Sequence, residues 1–206
     1  MTKFSKIFFI AILFLGFFGL AQNSEAANRY VRDGATGNGS DWTNAYASLP
    51  ATLVRGDTYY IADGSYPSYI VDDAVSGTSV ITIKKATIAD HGAETGWNSS
   101  YGDGQAVFGK ITIQASYITI DGTSGSLSSD SSSYGIKVTP TNCSQANRLI
   151  NISSGSTLSN NIVKHIALVN CGSSYDYSQA GISVLAPSTN IQITDNYFSG
   201  ANVNLY

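Results

Sequence analysis

From Thr58 onward the chain is written in short runs where aliphatic and polar residues alternate. The runs cover Thr58 to Ala62, Val80 to Lys84, Ile111 to Gln114, Tyr117 to Asp121, Gly135 to Val138, Arg148 to Ile152, Ile166 to Asn170, Gly181 to Val184 and Asn190 to Thr194. Period-two alternation over four to six residues, rich in Ile, Val, Tyr and Thr and bounded by Gly, Asn, Asp and Ser, predicts β-strands. One earlier segment has a different rhythm. Trp42, Tyr46, Leu49 and Leu53 are spaced by four, three and four, with Ser40 or Asp41 as an N-cap and Pro50 as a terminator, which predicts a short amphipathic helix. The expected fold class is therefore all-β with a short N-terminal capping helix.

The strands echo one another. Ile166, Leu168 and Asn170 are answered 25 residues later by Ile191, Ile193 and Asp195. Two wider echoes lie near twice that spacing: Gly135-Ile136-Lys137-Val138 with Gly181-Ile182-Ser183-Val184, and Ile118/Ile120 with Ile166/Leu168. A competing register matches Asn160-Asn161-Ile162-Val163 to Asp195-Asn196-Tyr197-Phe198, 35 residues apart. Recurrence on this scale marks a solenoid, in which each unit buries its apolar face only by stacking on the next. Parallel strands need a dozen or more connecting residues, and a rung of about 25 supplies them. An antiparallel sandwich is the alternative, with Asp63-Gly64, Asp103-Gly104 and Asp121-Gly122 as hairpin turns.

The N-terminus adds a compartment. Lys3 and Lys6 precede an apolar or glycine run of 14 residues, Ile7 to Leu20, and Ser24-Glu25-Ala26 places small residues at the −3 and −1 positions. This predicts a signal peptide over 1–26 and a secreted or cell-surface domain over 27–206, with an N-terminal cap at about 28–56. The apolar run is short for a bilayer span, which needs roughly 20 residues, and no later segment predicts one. Without Lys3, Lys6 and Glu25 the chain has 9 basic and 13 acidic residues, a net charge of −4 that gives no electrostatic reason to bind nucleic acid. A charged content of 12% beside 43% hydrophobic residues suits an extracellular β protein with uncharged turns.

Tyr30-Val31-Arg32-Asp33-Gly34 through Gly37-Asn38-Gly39-Ser40, the Trp42 segment, Gly56-Asp57-Thr58-Tyr59-Tyr60-Ile61-Ala62-Asp63-Gly64-Ser65-Tyr66, and the later Gly181-Ile182-Ser183-Val184 with Asn190-Ile191-Gln192-Ile193-Thr194-Asp195-Asn196-Tyr197-Phe198 resemble the pectate-lyase-like, right-handed parallel β-helix proteins. The resemblance implies a right-handed solenoid, a polysaccharide partner held on a groove along one sheet, polysaccharide lyase or glycoside hydrolase activity, and Ca2+ as a candidate cofactor. It also implies more rungs than this chain has, so truncation at the C-terminus is expected. A non-catalytic surface or adhesive β-helix, or an inactive fragment, is the alternative, because fold does not fix function.

The sequence alone assigns no catalytic or metal residue. A lyase needs a base and a positive group beside the substrate carboxylate, for which Lys137, Lys164 and His165 are candidates, each more often a solvated side chain. Asp195 has no acidic echo in either register, and Asp72-Asp73 and Asp90-His91 fall in loops. Asp121 is expected to accept backbone N–H bonds in the following turn. Tyr59, Tyr60, Tyr66, Tyr69, Tyr101, Tyr175 and Tyr177 are candidate sugar platforms, most of them expected to cover the sheet faces. Cys143 and Cys171, the only cysteines, are a candidate disulfide in an exported protein, against two buried thiols. Asn38, Asn98, Asn142 and Asn151 open glycosylation sequons, relevant in a host that modifies them.

Overall fold

The computed structural model describes residues 26–126, 128–142, 148–171, 180–200 and 203–205. The expected signal segment, apart from Ala26, lies outside them, as do Cys143, Tyr175 and Tyr177. Among the described residues no helix is long and apolar enough to cross a membrane.

The chain visits three parallel sheets in turn. After β1 (Asn28–Val31), a first tier is formed by β2 (Thr58–Ile61), β3 (Gly64–Tyr66) and β4 (Tyr69–Val71), and a second by β5 (Ile81–Lys85), β6 (Ala106–Phe108) and β7 (Ile111–Ile113). The third holds β8 (Ile118–Asp121), β9 (Ile136–Val138) and β10 (Arg148–Ile152), followed by the short β11 (Leu158–Ser159). The fourth holds β12 (Ile162–Lys164), β13 (Ile166–Val169), β14 (Ala180–Val184) and β15 (Ser188–Thr189), and the last β16 (Gln192–Thr194), β17 (Tyr197–Ser199) and β18 (Val203–Leu205). Sheet order follows tier order: β1-β2-β5-β8-β12-β16 in the first sheet, β3-β6-β9-β13-β17 in the second, β4-β7-β10-β14-β18 in the third, and a two-stranded β11-β15. Every ladder among the described strands is parallel, and helix is confined to two three-residue 3-10 turns, Ser99–Tyr101 and Ser131–Ser133. The result is an all-β stack of parallel sheets, consistent with a β-solenoid.

Stacking aligns like side chains. Tyr59, Ile83, Ile120, Val163 and Ile193 lie opposite one another on successive strands of the first sheet, and Ile111, Ile150 and Ile182 on the third. Ile83, Ile120, Val163, Ile150 and Ile182 are almost wholly buried. Full burial of each such side chain is worth roughly 1.5–3 kcal/mol, and this supplies the driving force that short strands cannot generate alone. Asn161 is the polar exception. Wholly buried, it accepts from Ile118 N and donates to Ala115 O, both at 3.0 Å, tying the third and fourth tiers at their corner.

Three sequence expectations are corrected. The repeat in the upper tiers is 30 residues, with Val163 opposite Ile193 and Leu168 opposite Phe198. The echo at 25 compares β13 with β16, strands of different sheets, because every strand buries alternate aliphatics and so looks alike in sequence. The helix over 41–49 does not form either. Its carbonyls are committed elsewhere: Asn44 O accepts from Gly39 N, Ala45 O from Gly37 N and Tyr46 O from Arg32 N, so a bridge between Val31 and Tyr46 and a set of turns replace the i to i−4 pattern. Lastly, Asp63-Gly64 joins β2 to β3 in a different sheet rather than turning a hairpin, and the Asp121-Gly122 corner likewise leads out of the first sheet toward β9 in the second.

A second core forms around the segment between β1 and β2. Tyr30, Ala35, Trp42, Ala45, Ala62 and Ala86 form a second buried cluster, with Tyr60, Trp97 and Tyr101 packed against it.

Candidate functional site

The alternation that buries Ile83, Ile120 and Val163 turns the intervening residues outward. On the first sheet this produces a row in which Tyr60, Lys84, Asp121, Lys164 and Thr194 are paired from strand to strand, continued at β1 by Tyr30, which the second core covers. Adjacent members are separated by about 4.8 Å, the spacing of hydrogen-bonded strands. Lys84 lies over the Tyr60 ring, 5.9 Å from its centroid, and pairs with Asp90. Lys164 Nζ is 3.1 Å from Asp121 Oδ2.

Asp121 is the hub of the row. Its Oδ1 accepts from Thr123 N at 3.0 Å and from Thr123 Oγ1 at 2.5 Å, with His165 Nδ1 at 3.3 Å. Burial disfavours the charged carboxylate, but the Thr123 hydrogen bonds and the Lys164 ammonium outweigh it and hold its pKa below the ordinary 3.8. Asp121 is therefore a strict acceptor at neutral pH. The turn role expected from sequence is present in the Thr123 N contact, and the His165 and Lys164 contacts are additional. A group whose folded pKa is depressed contributes stability that is present above its unfolded pKa and lost as pH falls through the folded value. The stability difference between the wild type and Asp121→Asn should accordingly shrink as pH falls below about 4. Thermal melts of both proteins across that range check this.

The Asp121 network fixes the state of His165. The Thr123 hydroxyl has one hydrogen, and Asp121 receives it. Toward His165 Nδ1, 2.7 Å away, the same oxygen can only accept, so Nδ1 carries the ring proton. In the neutral ring the lone pair is then on Nε2, which faces Asp195 Oδ2 at 3.9 Å. His165 has a φ of 58°, a left-handed conformation unusual outside glycine. Asp195, 30 residues on, has the same conformation at 53°, so the bend belongs to the stacked corner and is not peculiar to one side chain. Gly122 makes room for it: a Cβ there would meet His165 O at 2.2 Å.

Beside this row is a cleft of about 290 Å3, lined on one side by Lys84, Thr87 and Asp90 and on the other by Asp121, Thr123 and Ser124. Lys85, the next residue along β5, points inward and is wholly buried, 2.7 Å from Asp63 Oδ1.

The structure gathers Lys164, His165, Asp121, Asp195 and Asp90 of the candidates into one region. The others go elsewhere. Lys137 is on the second sheet opposite Val107 and Ala167; Asp73 Oδ1 accepts from Leu53 N at 2.7 Å; His91 stacks on Trp97 at 3.9 Å. Tyr59, Tyr66 and Tyr69 spend their hydroxyls on Val54 N, Ala62 O and Pro50 O and so serve the fold, while Tyr60 remains partly exposed at the row. Among the described residues no group of three or more His, Cys, Asp or Glu stands together as a metal site. Sequence reasoning missed Lys84 and Thr123. The signal for Lys84 was its outward parity in β5, legible only once the register to Asp121 is known. The chain matches no protein-family model, no curated protein and no solved structure.

Proposed function

We propose that this chain is an exported, closed right-handed β-helix that binds extracellular polysaccharide along the outer face of its first sheet. The row Tyr60, Lys84, Asp121, Lys164 and Thr194 carries the reading. It offers an aromatic edge, two ammonium groups, a carboxylate and a hydroxyl over four strand steps, about 19 Å. Each cation already faces an anion, Lys84 with Asp90 and Lys164 with Asp121. Such pairs suit neutral sugar hydroxyls, which accept from the ammonium and donate to the carboxylate, better than a polyanion. The leader-like N-terminus and the candidate Cys143–Cys171 disulfide belong to the same reading, as features of an exported chain. The resemblance to pectate-lyase-like proteins supports it as an analogy of fold.

Affinity electrophoresis against a panel of plant and microbial polysaccharides tests the proposal. Removing both ammonium groups in Lys84→Ala/Lys164→Ala is expected to weaken retention more than tenfold, since a hydrogen bond from a charged group contributes about 1.5–3 kcal/mol. Absence of retention by the wild type across the panel, or undiminished retention by the folded double variant, would overturn it.

A further inference from the structure

We infer that His165 is a general base on this face, activating a water molecule to hydrolyse O-acyl esters carried by the bound polysaccharide. The inference rests on the polysaccharide reading above and adds a reaction to it. Its ground is the arrangement about His165 Nε2. Thr123 and Asp121 fix the proton on Nδ1, so Nε2 and the Asp195 carboxylate are two acceptors facing each other across 3.9 Å. Two acceptors cannot bond each other, and the distance is too long for a direct hydrogen bond. A water molecule has the two hydrogens needed to satisfy both at once, which leaves its lone pairs directed away from the protein. The side chains of His165 and Asp195 are 20% and 61% exposed, so the position is open to a ligand on the row.

The surrounding charges select the reaction. Glycosidic hydrolysis requires a carboxylic acid to protonate the leaving oxygen. Asp121 is held ionised by Thr123 and Lys164, and Asp195 is engaged as the second acceptor for the water, so neither carboxyl is placed to do this. Elimination from a uronate requires a cation committed to the substrate carboxylate, whereas Lys84 and Lys164 already face Asp90 and Asp121. Ester hydrolysis asks less. Water adds to the acyl carbon as Nε2 takes its proton, giving a tetrahedral oxyanion on the open side of the face. Collapse breaks the bond between acyl carbon and sugar oxygen, and that oxygen recovers the proton from Nε2. The products are a free sugar hydroxyl and a carboxylic acid, which ionises in solvent. Asp121 and Thr123 are positioning residues in this scheme, and the groups facing the imidazole are Asp121 on β8, Thr123 after it, Lys164 on β12 and Asp195 after β16.

The full chain is incubated with an O-acetylated polysaccharide that it retains, and separately with 4-nitrophenyl acetate, and released acetate and nitrophenolate are measured. The wild type is expected to release both. His165→Asn, which tolerates the left-handed backbone, should lower the rate at least about 100-fold while polysaccharide retention is unchanged. Asp195→Asn should lower it about tenfold and provides the same decision if His165→Asn does not fold. Retention without acetate release, or a wild-type rate in both folded variants, overturns the catalytic inference and leaves the binding proposal intact. Hydrolysis of 4-nitrophenyl acetate that depends on His165, in a chain that retains no polysaccharide, supports the catalytic base and overturns the binding proposal.

Discussion

Trp42→Ala should destabilise the protein by about 3–5 kcal/mol, the cost of deleting a large aromatic from a packed interior. Trp42 is wholly buried, its ring centroid 5.0 Å from those of Tyr30 and Trp97 and 5.9 Å from Tyr101. Its indole N–H donates to His91 O at 3.0 Å, pinning a loop that lies 49 residues away in sequence. Trp42→Phe separates the two contributions. It retains most of the apolar volume but leaves His91 O without this donor, at a cost of about 1–3 kcal/mol. Urea unfolding of the three proteins provides the comparison. A Trp42→Ala loss below about 1 kcal/mol would show that this second buried cluster carries little of the stability of the stack.

The second large effect is expected at Lys85. Its side chain has no exposed surface, and its ammonium faces Asp63 Oδ1 at 2.7 Å, Tyr101 O at 3.3 Å and Ala86 O. Burial lowers its pKa, and pairing with Asp63 opposes the shift. Lys85→Met keeps the stem and removes the charge, leaving Asp63 without its cation and Ala86 O without this donor, while Tyr101 O still accepts from Asp63 N at 2.8 Å. Breaking a buried pair in this way costs about 3–5 kcal/mol. The lower end is expected here, because Asp63 Oδ2 still accepts from Gly104 N at 2.6 Å. Adding Asp63→Asn should restore part of the loss, since the orphaned charge is then gone. If the double variant is as unstable as the sum of the two singles, the pair is not coupled and the account fails. At the row, by contrast, Lys84 is 27% exposed and paired with a half-exposed Asp90, and its removal should be nearly neutral for stability. The same residue type at consecutive positions thus serves the fold at 85 and the surface at 84.

That contrast shows what was legible in the sequence. Period-two alternation located nine strands to within two residues, because burial of one face is a local property of each strand. It missed β1, β3, β4, β6, β11, β12, β15, β17 and β18, all but the four-residue β1 only two or three residues long, where little alternation is available to stand out. The vertical register was misread for the opposite reason. Ile166 and Ile191 look equivalent as single strands, yet the tiers differ in length: Thr82 pairs with Thr119 at a separation of 37, Thr119 with Ile162 at 43 and Ile162 with Gln192 at 30. The candidate site depends on that register, so Lys164, His165 and Asp121 could be singled out one by one from sequence while their pairing, and the part of Thr123 in it, could not. The spacing of Trp42, Tyr46, Leu49 and Leu53 marked inward positions correctly and their backbone wrongly: Trp42, Leu49 and Leu53 are buried and Tyr46 is packed against the core, but on an irregular path whose carbonyls serve β1 and its neighbours.

A structure assembled from tiers that pair only with the tier before and the tier after behaves as a linear stack during opening. Amide hydrogens in β5, β8 and β12, with partners on both sides, should exchange slowest. Protection should be lower in β1, β16 and β17, which are paired on one side only among the described strands, so that opening proceeds strand by strand from the outer strands and leaves the middle of the ladder for last.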